Sequence, residues 1–226
     1  MTRIQKFQSF HIGADMDLTT DQMRRMVSCF ETSTARADTV LGGRTAVIRA
    51  NIPDIGPVVV KQYTRGGVIR KFNQTTYLKF SRYRSQCEFE LLKFLDHLGV
   101  RVPEPVAFAR RGKFFYQAWL ITKEIGHAIT LADAVRKEPD TARALMPELS
   151  RQVDILIENQ IHHVDLHPGN ILVTPENRLY LIDFDKARTT PVNRRRLRGK
   201  YVRRWQRAVL KYRLPAFLTK IFNHRP

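Results

Sequence analysis

The sequence predicts an α+β fold in which a strand-rich part precedes a mostly helical part, the order expected of a chain with two lobes. This prediction rests on β-branched segments in the first part, a hairpin in the middle and helical apolar spacing in the last part. In chain order the predicted elements are strands at 40–50 and 57–63, a helix at 76–98, a hairpin at 106–122, a helix at 141–160, short strands at 171–173 and 179–182, and a largely helical tail at 193–222.

Turn and cap residues separate these elements. A turn at Pro53–Gly56 divides the first two strands, and Gly99 is suited to end the first helix after its leucines at helical spacing. The hairpin turns at Arg110–Lys113, and the second helix has apolar residues three and four positions apart. The predicted boundaries are one domain at 1–226, an N-terminal lobe at about 37–124 and a C-terminal lobe at about 125–226, with the basic tail at its end.

The chain is strongly basic, and most of its charge lies in one region. It contains 39 Lys and Arg against 21 Asp and Glu, for a net charge of +18. Fourteen of the basic residues lie between Lys186 and Pro226, and no acidic residue follows Asp185. Such a charge indicates an anionic partner, such as nucleic acid, an anionic membrane surface or a phosphorylated substrate.

The composition is otherwise that of a globular protein, with 43% hydrophobic and 27% charged residues. No run of about 20 apolar residues predicts a spanning helix, and the N-terminal segment lacks the apolar stretch of a signal peptide. Cys29 and Cys87 have no metal-site spacing, so we predict two buried thiols in a reducing compartment. We therefore expect a cytoplasmic protein.

One polar loop contains the residue types that phosphoryl transfer needs. His163, Asp165 and Asn170 have the spacing H-x-D-x-x-x-x-N, and Asp183 follows a predicted hairpin. Asp165 is suited to accept the proton of an incoming hydroxyl, Asn170 and Asp183 are suited to bind Mg²⁺, and His163 is expected to support the loop backbone. The loop resembles the catalytic and metal-binding loops of the protein-kinase-like fold, which implies ATP and Mg²⁺ as cofactors.

Residues upstream of the loop strengthen this resemblance. Val58–Lys61 is an apolar strand that ends in a lysine, where such folds hold the ATP phosphates. Glu88 lies on the apolar stripe of its predicted helix, so its carboxylate needs a cation, and Lys61 is the predicted partner. Gly42 and Gly43 are predicted to form the turn that covers the phosphates.

Differences between this sequence and the protein-kinase motifs narrow the kind of kinase that it predicts. His167 stands where protein kinases usually have lysine, and Asp185 replaces the glycine of their metal-binding loop. Only 41 residues follow Asp185, which is too few for a lobe that holds a peptide. We therefore expect a two-lobed protein-kinase-like fold with a minimal C-terminal lobe, acting on a small molecule or a lipid-linked sugar.

A second set of motifs resembles the lipopolysaccharide kinases. The motifs are a Tyr-x-Arg-Gly-Gly segment at 63–67, a glycine- and proline-containing turn at 99–105 and an Asp-Phe-Asp-Lys loop at 183–186. The resemblance covers roughly residues 40–190. It implies an ATP-dependent sugar kinase that phosphorylates a hydroxyl of 3-deoxy-D-manno-octulosonic acid (Kdo) in the inner core of lipopolysaccharide, with Kdo-lipid A as the acceptor.

The basic segments fit an acceptor at a membrane. Arg65, Arg70 and Lys71 are predicted to bind its phosphates or carboxylates, because arginine pairs with these groups through a bidentate fork. The tail combines ten Arg and Lys between Arg194 and Arg213 with apolar residues that include aromatics, a pattern typical of a membrane-interface helix. We expect peripheral binding to the anionic cytoplasmic face of the inner membrane, with part of the apolar set packed on the C-terminal lobe.

Other functions stay open at this stage. His167, Pro168 and Gly169 are closer to aminoglycoside- and choline-kinase-like enzymes, which favours a cytosolic small-molecule kinase, although such an enzyme does not need the basic tail. A nucleic-acid-binding protein would explain the charge but not the kinase-like loop, so no nucleic-acid partner is expected. A metal cluster of His162, His163 and His167 is disfavoured because the kinase motif already explains these residues. The oligomeric state is not predicted.

Overall fold

The computed structural model describes residues 2–39, 47–63, 77–78, 83–113 and 115–222. The chain divides into two compact units. The first unit consists of Met1–Lys93 and Glu104–Glu124, and the second consists of Phe94–Pro103 and Ile125–Pro226. Helices and strands occur in both units, so the predicted α+β class is confirmed.

A seven-stranded antiparallel sheet forms the described part of the first unit together with one helix and most of a second helix, whose residues after Lys93 belong to the second unit. The strands are β1 (Arg3–Phe7), β2 (Phe10–Ala14), β3 (Val47–Ile52), β4 (Gly56–Gln62), β5 (Tyr77–Leu78), β6 (Pro105–Arg111) and β7 (Phe115–Lys123), and the helices are α1 (Thr20–Thr39) and α2 (Arg84–His97). The strand order is β1-β2-β6-β7-β4-β3, and β5 pairs with the start of β7. The predicted strand at 57–63 and the predicted hairpin are therefore confirmed as β4 and as β6 with β7. Residues 40–46 of the first predicted strand lie outside the described residues.

Alternation along β4 determines what each face of the sheet contacts. Val58 and Val60 are buried in one core with Met26 and Phe30 of α1. Successive side chains of a strand point to opposite faces, so Lys61 points away from this core. This alternation places the lysine on the face opposite α1.

The N-terminal segment is part of this unit, although the sequence analysis assigned it no element. The β1–β2 hairpin extends the sheet because β2 pairs with β6, with Ile12 opposite Ala109. Helix α1 also makes polar contacts with the sheet: Trp119 Nε1 donates to Ser33 Oγ at 2.9 Å. Residues 2–39 therefore complete both the sheet and its core.

The predicted helix at 76–98 is wrong at its start. Tyr77 and Leu78 form β5, because both residue types suit extended backbone and the edge of β7 offers them a partner strand. The helix begins at Arg84 and ends as predicted, with Gly99 at a φ of +79° where a residue without a Cβ is favoured.

The prediction of two buried thiols is correct for Cys29 and wrong for Cys87. Cys29 lies on the buried side of α1, in the core, whereas Cys87 is exposed on α2. The buried face of α2 contains Glu88, Phe89 and Leu92, and helical geometry turns position 87 away from that face.

The second unit contains the remaining helices and short strands of the described chain. These are β8 (Ile129–Thr130), α3 (Leu131–Lys137), α4 (Pro139–Ala144), α5 (Met146–Glu158), β9 (Ile161–His162), β10 (Ile171–Val173), β11 (Leu179–Leu181), β12 (Arg188–Thr189) and α6 (Arg194–Lys211). Short 3₁₀ turns lie at Pro168–Asn170 and Ala216–Lys220. One sheet has the order β11-β10-β8, and β12 pairs with β9. Among the described residues, no helix is both long enough and apolar enough to cross a membrane.

The helix predicted at 141–160 is two helices. Helix α4 ends at Ala144 and α5 begins at Met146, with Pro147 in the first turn of α5. Proline has no N–H to continue a preceding helix, and its ring clashes with the carbonyl four positions earlier. The chain therefore breaks its helix there and starts a new one.

The tail is helical as predicted, and most of its apolar residues pack within the second unit. Leu197, Tyr201, Trp205, Ala208 and Val209 of α6 are buried within the second unit. Beyond the helix, the apolar side chains nearest the chain end are buried as well, namely Leu214, Leu218, Ile221 and Phe222. Packing within the second unit therefore covers most of the apolar set, whereas Leu210 of α6 is 74% exposed. Binding of the tail to a membrane stays a prediction.

Candidate active site

The polar loop between β9 and β10 is closed by hydrogen bonds along its own backbone. Asn170 N donates to His167 O at 2.8 Å, and Asn170 Nδ2 donates to Asp165 O at 3.0 Å. Ile182 N donates to Asn170 O at 3.0 Å, which places the chain leading to Asp183 beside the loop. The structure therefore brings together the three segments that contain Asp165, Asn170 and Asp183.

The Asp165 carboxylate is paired with an arginine of α6. Its Oδ1 accepts a hydrogen bond from Arg204 Nη2, and the two side chains are only 37% and 30% exposed. Partial burial disfavours the ionised carboxylate, but the hydrogen bond and the charge of Arg204 outweigh it, so the pKa of Asp165 lies below its ordinary value. Asp165 is therefore ionised at neutral pH, as a proton acceptor must be.

Asn170 and Asp183 offer oxygen donors of the kind that Mg²⁺ prefers. Because Nδ2 of Asn170 binds Asp165 O, its side-chain oxygen is the atom left for a cation. Asp183 has a φ of +65°, a left-handed conformation that is uncommon outside glycine and is concentrated at functional sites. An amide oxygen and a carboxylate on adjoining segments fit a hard cation.

His163 links the loop to the segment around Asp183. Its Nε2 donates to Ile182 O at 3.0 Å, and its ring lies 4.4 Å from that of Phe184. Its Nδ1 is buried and accepts no hydrogen bond from the described residues. Burial lowers the pKa of His163 to about 4, so the ring is neutral at pH 7. His163 supports the loop backbone, as expected.

Helix α6 fixes the start of the loop through Tyr201. The Tyr201 hydroxyl accepts a hydrogen bond from His163 N and donates one to Ile161 O, both at 2.8 Å. The side chain is buried, and burial raises the pKa of its hydroxyl well above the ordinary value. The basic tail is thus a structural component of the candidate site.

The three neighbouring histidines make separate contacts. The ring of His162 packs edge-on against that of Tyr201, with centroids 5.9 Å apart. His167 Nδ1 accepts a hydrogen bond from Gly169 N at 3.0 Å, and the third histidine, His163, binds the backbone of Ile182. Each ring therefore has its own structural role in the second unit.

The predicted partners Lys61 and Glu88 lie together in the first unit. Lys61 Nζ lies 3.1 and 3.2 Å from the two carboxylate oxygens of Glu88. The side chains are 15% and 4% exposed, so the pair is largely buried. Tyr63 supports it, because its hydroxyl donates to Glu88 Oε2 at 2.5 Å and its ring lies 5.2 Å from Lys61 Nζ. A lysine held in this way is suited to bind phosphate oxygens.

The other predicted site residues lie outside the described residues. They are Gly42 and Gly43, predicted to cover the phosphates, and Arg65, Arg70 and Lys71, predicted to bind the acceptor. Their roles stay predictions.

The sequence alone did not predict the residues that support the polar loop or the pair of Lys61 and Glu88. The sequence pattern places Arg204 only among the basic residues of the tail and Tyr63 only within a motif, and it predicts no role for Tyr201. Arg204 lies 39 positions from Asp165 along the chain, so no local spacing connects them. The available signal was the i, i+3, i+4 apolar face of α6, which placed Tyr201 and Trp205 toward a protein interior.

The chain belongs to the lipopolysaccharide kinase (Kdo/WaaP) family. The model of this family matches residues 42–217, which include both groups of candidate site residues. The matched part begins after α1, so β1, β2 and the whole of α1 lie before it.

The chain is also similar to individual kinases. It is 34% identical over 152 residues to the 3-deoxy-D-manno-octulosonic acid kinase of Vibrio vulnificus strain CMCP6, covering 64% of this chain and 62% of the relative. It is 35% identical over 137 residues to the protein of that name from Haemophilus influenzae strain 86-028NP, covering 57% of this chain and 56% of the relative. It is 33% identical over 141 residues to the Photobacterium profundum protein of that name, covering 59% of this chain and 57% of the relative. The chain thus spans about three-fifths of the length of the curated relatives it matches.

Proposed function

We propose that this protein transfers a phosphoryl group from ATP to a hydroxyl of Kdo, with Kdo-lipid A of the lipopolysaccharide inner core as the acceptor. The observation that supports this most strongly is the hydrogen bonding of the loop. Asn170 donates to the backbone of Asp165, and the segment leading to Asp183 donates to the backbone of Asn170. Membership of the lipopolysaccharide kinase family and the names of the similar kinases support the sugar acceptor.

In this proposal Asp165 accepts the proton of the attacking hydroxyl. Its ionised carboxylate orients that hydroxyl, and the hydrogen bond from Arg204 keeps one of its oxygens in place. Asn170 and Asp183 bind Mg²⁺, which when bound neutralises charge on the phosphates. His163 and Tyr201 hold the loop so that these groups keep their relative positions.

Lys61 binds the ATP phosphates, and Glu88 and Tyr63 orient its ammonium group. The proposal assigns the two compact units to the two lobes of a protein-kinase-like fold, the second being minimal. Gly42 and Gly43 are assigned to the phosphates and the basic segment at 65–71 to the acceptor, on the basis of their sequence positions.

Mass spectrometry of Kdo-lipid A tests the proposed reaction. We expect incubation with the protein, ATP and Mg²⁺ to add one phosphate, and omission of ATP or Mg²⁺ to prevent the addition. Phosphorylation of aminoglycosides or choline, with none of Kdo-lipid A, would instead support a small-molecule kinase.

The proposal also places the protein at the anionic cytoplasmic face of the inner membrane. Most of the apolar face of α6 is buried, although Leu210 is 74% exposed, so the proposed attachment is mainly electrostatic. The exposed face of the helix contains Arg195, Arg196, Arg203, Arg207 and Lys211. Each basic group near an anionic surface contributes about 1 kcal/mol, which salt screens.

Sedimentation with vesicles tests this attachment. The test variant replaces three exposed arginines of α6 by glutamine, namely Arg195, Arg196 and Arg203. The control removes the same charge elsewhere, at Arg24, Arg49 and Arg178, all exposed. We expect wild type and control to sediment with anionic vesicles at low salt and the test variant to sediment less. Equal loss in both variants, or equal binding to neutral vesicles, would argue against a specific role for the α6 face.

A further inference from the structure

Arg204 is held beside Asp165 by the packing of its own helix. Tyr201 and Trp205, which flank it on α6, are 2% and 0% exposed. Tyr201 binds the loop backbone, and Trp205 Nε1 donates to Leu218 O at 2.9 Å. Arg204 therefore extends from a fixed backbone toward the loop.

The pair of Arg204 and Asp165 leaves binding groups available to a ligand. A guanidinium has five N–H donors, and among the described residues the Arg204 side chain donates to Asp165 alone. Oδ2 of Asp165 likewise accepts no hydrogen bond within the described part of the chain. A hydroxyl bound at Oδ2 would lie beside the remaining N–H donors of Arg204.

The positive charge beside Asp165 comes from Arg204 and not from the loop residue His167. The pKa of His167 is lowered, mainly by burial. The neutral form of its ring is therefore favoured at pH 7. Arginine stays charged at all relevant pH values, and its planar fork matches a carboxylate. Because Arg204 is only 30% exposed, its interaction with an anion is screened less than at an open surface.

We infer that Arg204 determines acceptor specificity, with its remaining N–H donors binding the acid group of the acceptor while Asp165 holds the hydroxyl. The inference rests on the proposed function, in which the acceptor is a sugar acid. A neutral sugar would satisfy Asp165 but leave the guanidinium without an anion, so it should be a poorer substrate.

Two acceptors and four proteins test this inference. The acceptors are Kdo-lipid A and the same molecule with the Kdo carboxylate converted to a carboxamide. The proteins are wild type, Arg204→Gln, Arg204→Lys and Arg178→Gln, the last being an exposed arginine of the second unit away from α6. Steady-state kcat/KM for each acceptor, KM for ATP and thermal unfolding are measured for each protein.

We expect wild type and Arg178→Gln to prefer the acid by roughly 10- to 100-fold, the range of a hydrogen bond to a charged group. Arg204→Gln should lose most of this preference, Arg204→Lys should retain part of it, and KM for ATP should stay the same in all four. A full acid preference in folded Arg204→Gln would overturn the inference. So would a raised KM for ATP without a change in preference, because Arg204 would then bind the nucleotide.

A separate binding measurement distinguishes this inference from the proposed function. Absence of transfer by wild type to either acceptor would contradict the proposed function alone. Calorimetric titration with free Kdo and its carboxamide then decides the inference: tighter binding of the acid that Arg204→Gln abolishes supports it. Equal affinity of wild type for the two compounds overturns it.

Discussion

The ion pair of Lys61 and Glu88 acts as one unit because neither charge is stable alone at its position. Glu88 is only 4% exposed, and its two oxygens bind the Lys61 ammonium group and the Tyr63 hydroxyl. Removing one charge of a largely buried pair leaves the other with an uncompensated desolvation cost. The function of each residue therefore depends on the other.

This dependence predicts a non-additive double mutant. Lys61→Met should weaken ATP binding and transfer, and Glu88→Gln should have the same effect more mildly because it displaces the lysine. The double variant should be no worse than Lys61→Met alone, since residues that act as a unit do not give additive effects. ATP titrations and kcat/KM for the three variants provide the measurement, and additive losses would contradict the pairing.

His163 predicts a pH dependence of stability. Its folded-state pKa is about 4 against 6.5 for an ordinary histidine, so the unfolded chain binds a proton that the folded chain excludes between these values. The contribution of His163 is fully present above pH 6.5 and is lost as the pH falls to 4, a change of about 3 kcal/mol. His163→Gln, which keeps an N–H for Ile182 O, should unfold with a flatter pH dependence in this window. Denaturant melts at several pH values measure this, and an unchanged slope would count against a buried neutral ring.

Single residues could be predicted where chemistry depends on local spacing. Lys61 and Glu88 followed from a strand end and an apolar helix stripe, and Asp165 and Asn170 followed from one loop motif. Arg204 could not be predicted, because its partner lies 39 positions away and only the packing of α6 brings them together. An arginine in a basic segment looks like a solvated charge until its neighbours are known.

Helix α1 shows how an element outside the matched family region stabilises the first unit. Phe30 is fully buried and lies 5.4 Å from Phe10 and 5.1 Å from Trp119, measured between ring centroids. Large apolar side chains of this kind dominate the energetics of a core. Helix α1 is therefore part of the sheet's core and not an appendage.

Replacing Phe30 by alanine should destabilise the protein by about 3–5 kcal/mol, the usual cost of removing a buried aromatic ring. The control Ile4→Ala, at a side chain that is 55% exposed on β1, should change the free energy of unfolding by much less. Denaturant unfolding of both variants checks this. Equal, small effects would show that α1 contributes little to the core.

Helices and strands were predicted well where turn and cap residues within the segment set their bounds. They were predicted less well where the bounds depend on a neighbouring strand or on a proline. The hairpin of β6 and β7 and the end of α2 at Gly99 follow from turn and cap residues. The pairing of β5 with β7 and the break before α5 depend on an available strand edge and on the position of Pro147. The apolar face of α6 was recognised, but whether membrane or protein covers such a face depends on tertiary packing.

At the scale of the whole molecule, the basic residues of α6 divide between internal ion pairs and an exposed face. The net charge of +18 comes mainly from the last 41 residues, yet α6 uses one arginine on Asp165 and another, Arg198, on Asp154 of α5 at 2.8 Å. The exposed basic residues that remain are available to an anionic surface. The same helix thus organises the candidate site on one side and offers a basic face on another.

The most direct test of the account compares wild type with Asp165→Asn on Kdo-lipid A. Tandem mass spectrometry locates the added phosphate, and ATP titration serves as the internal control. We expect wild type to place the phosphate on the Kdo residue. The variant should bind ATP normally but transfer the phosphoryl group more slowly by a factor on the order of 10²–10⁴, the usual contribution of a general base. A wild-type rate in Asp165→Asn, or a phosphate placed elsewhere than on Kdo, would contradict it.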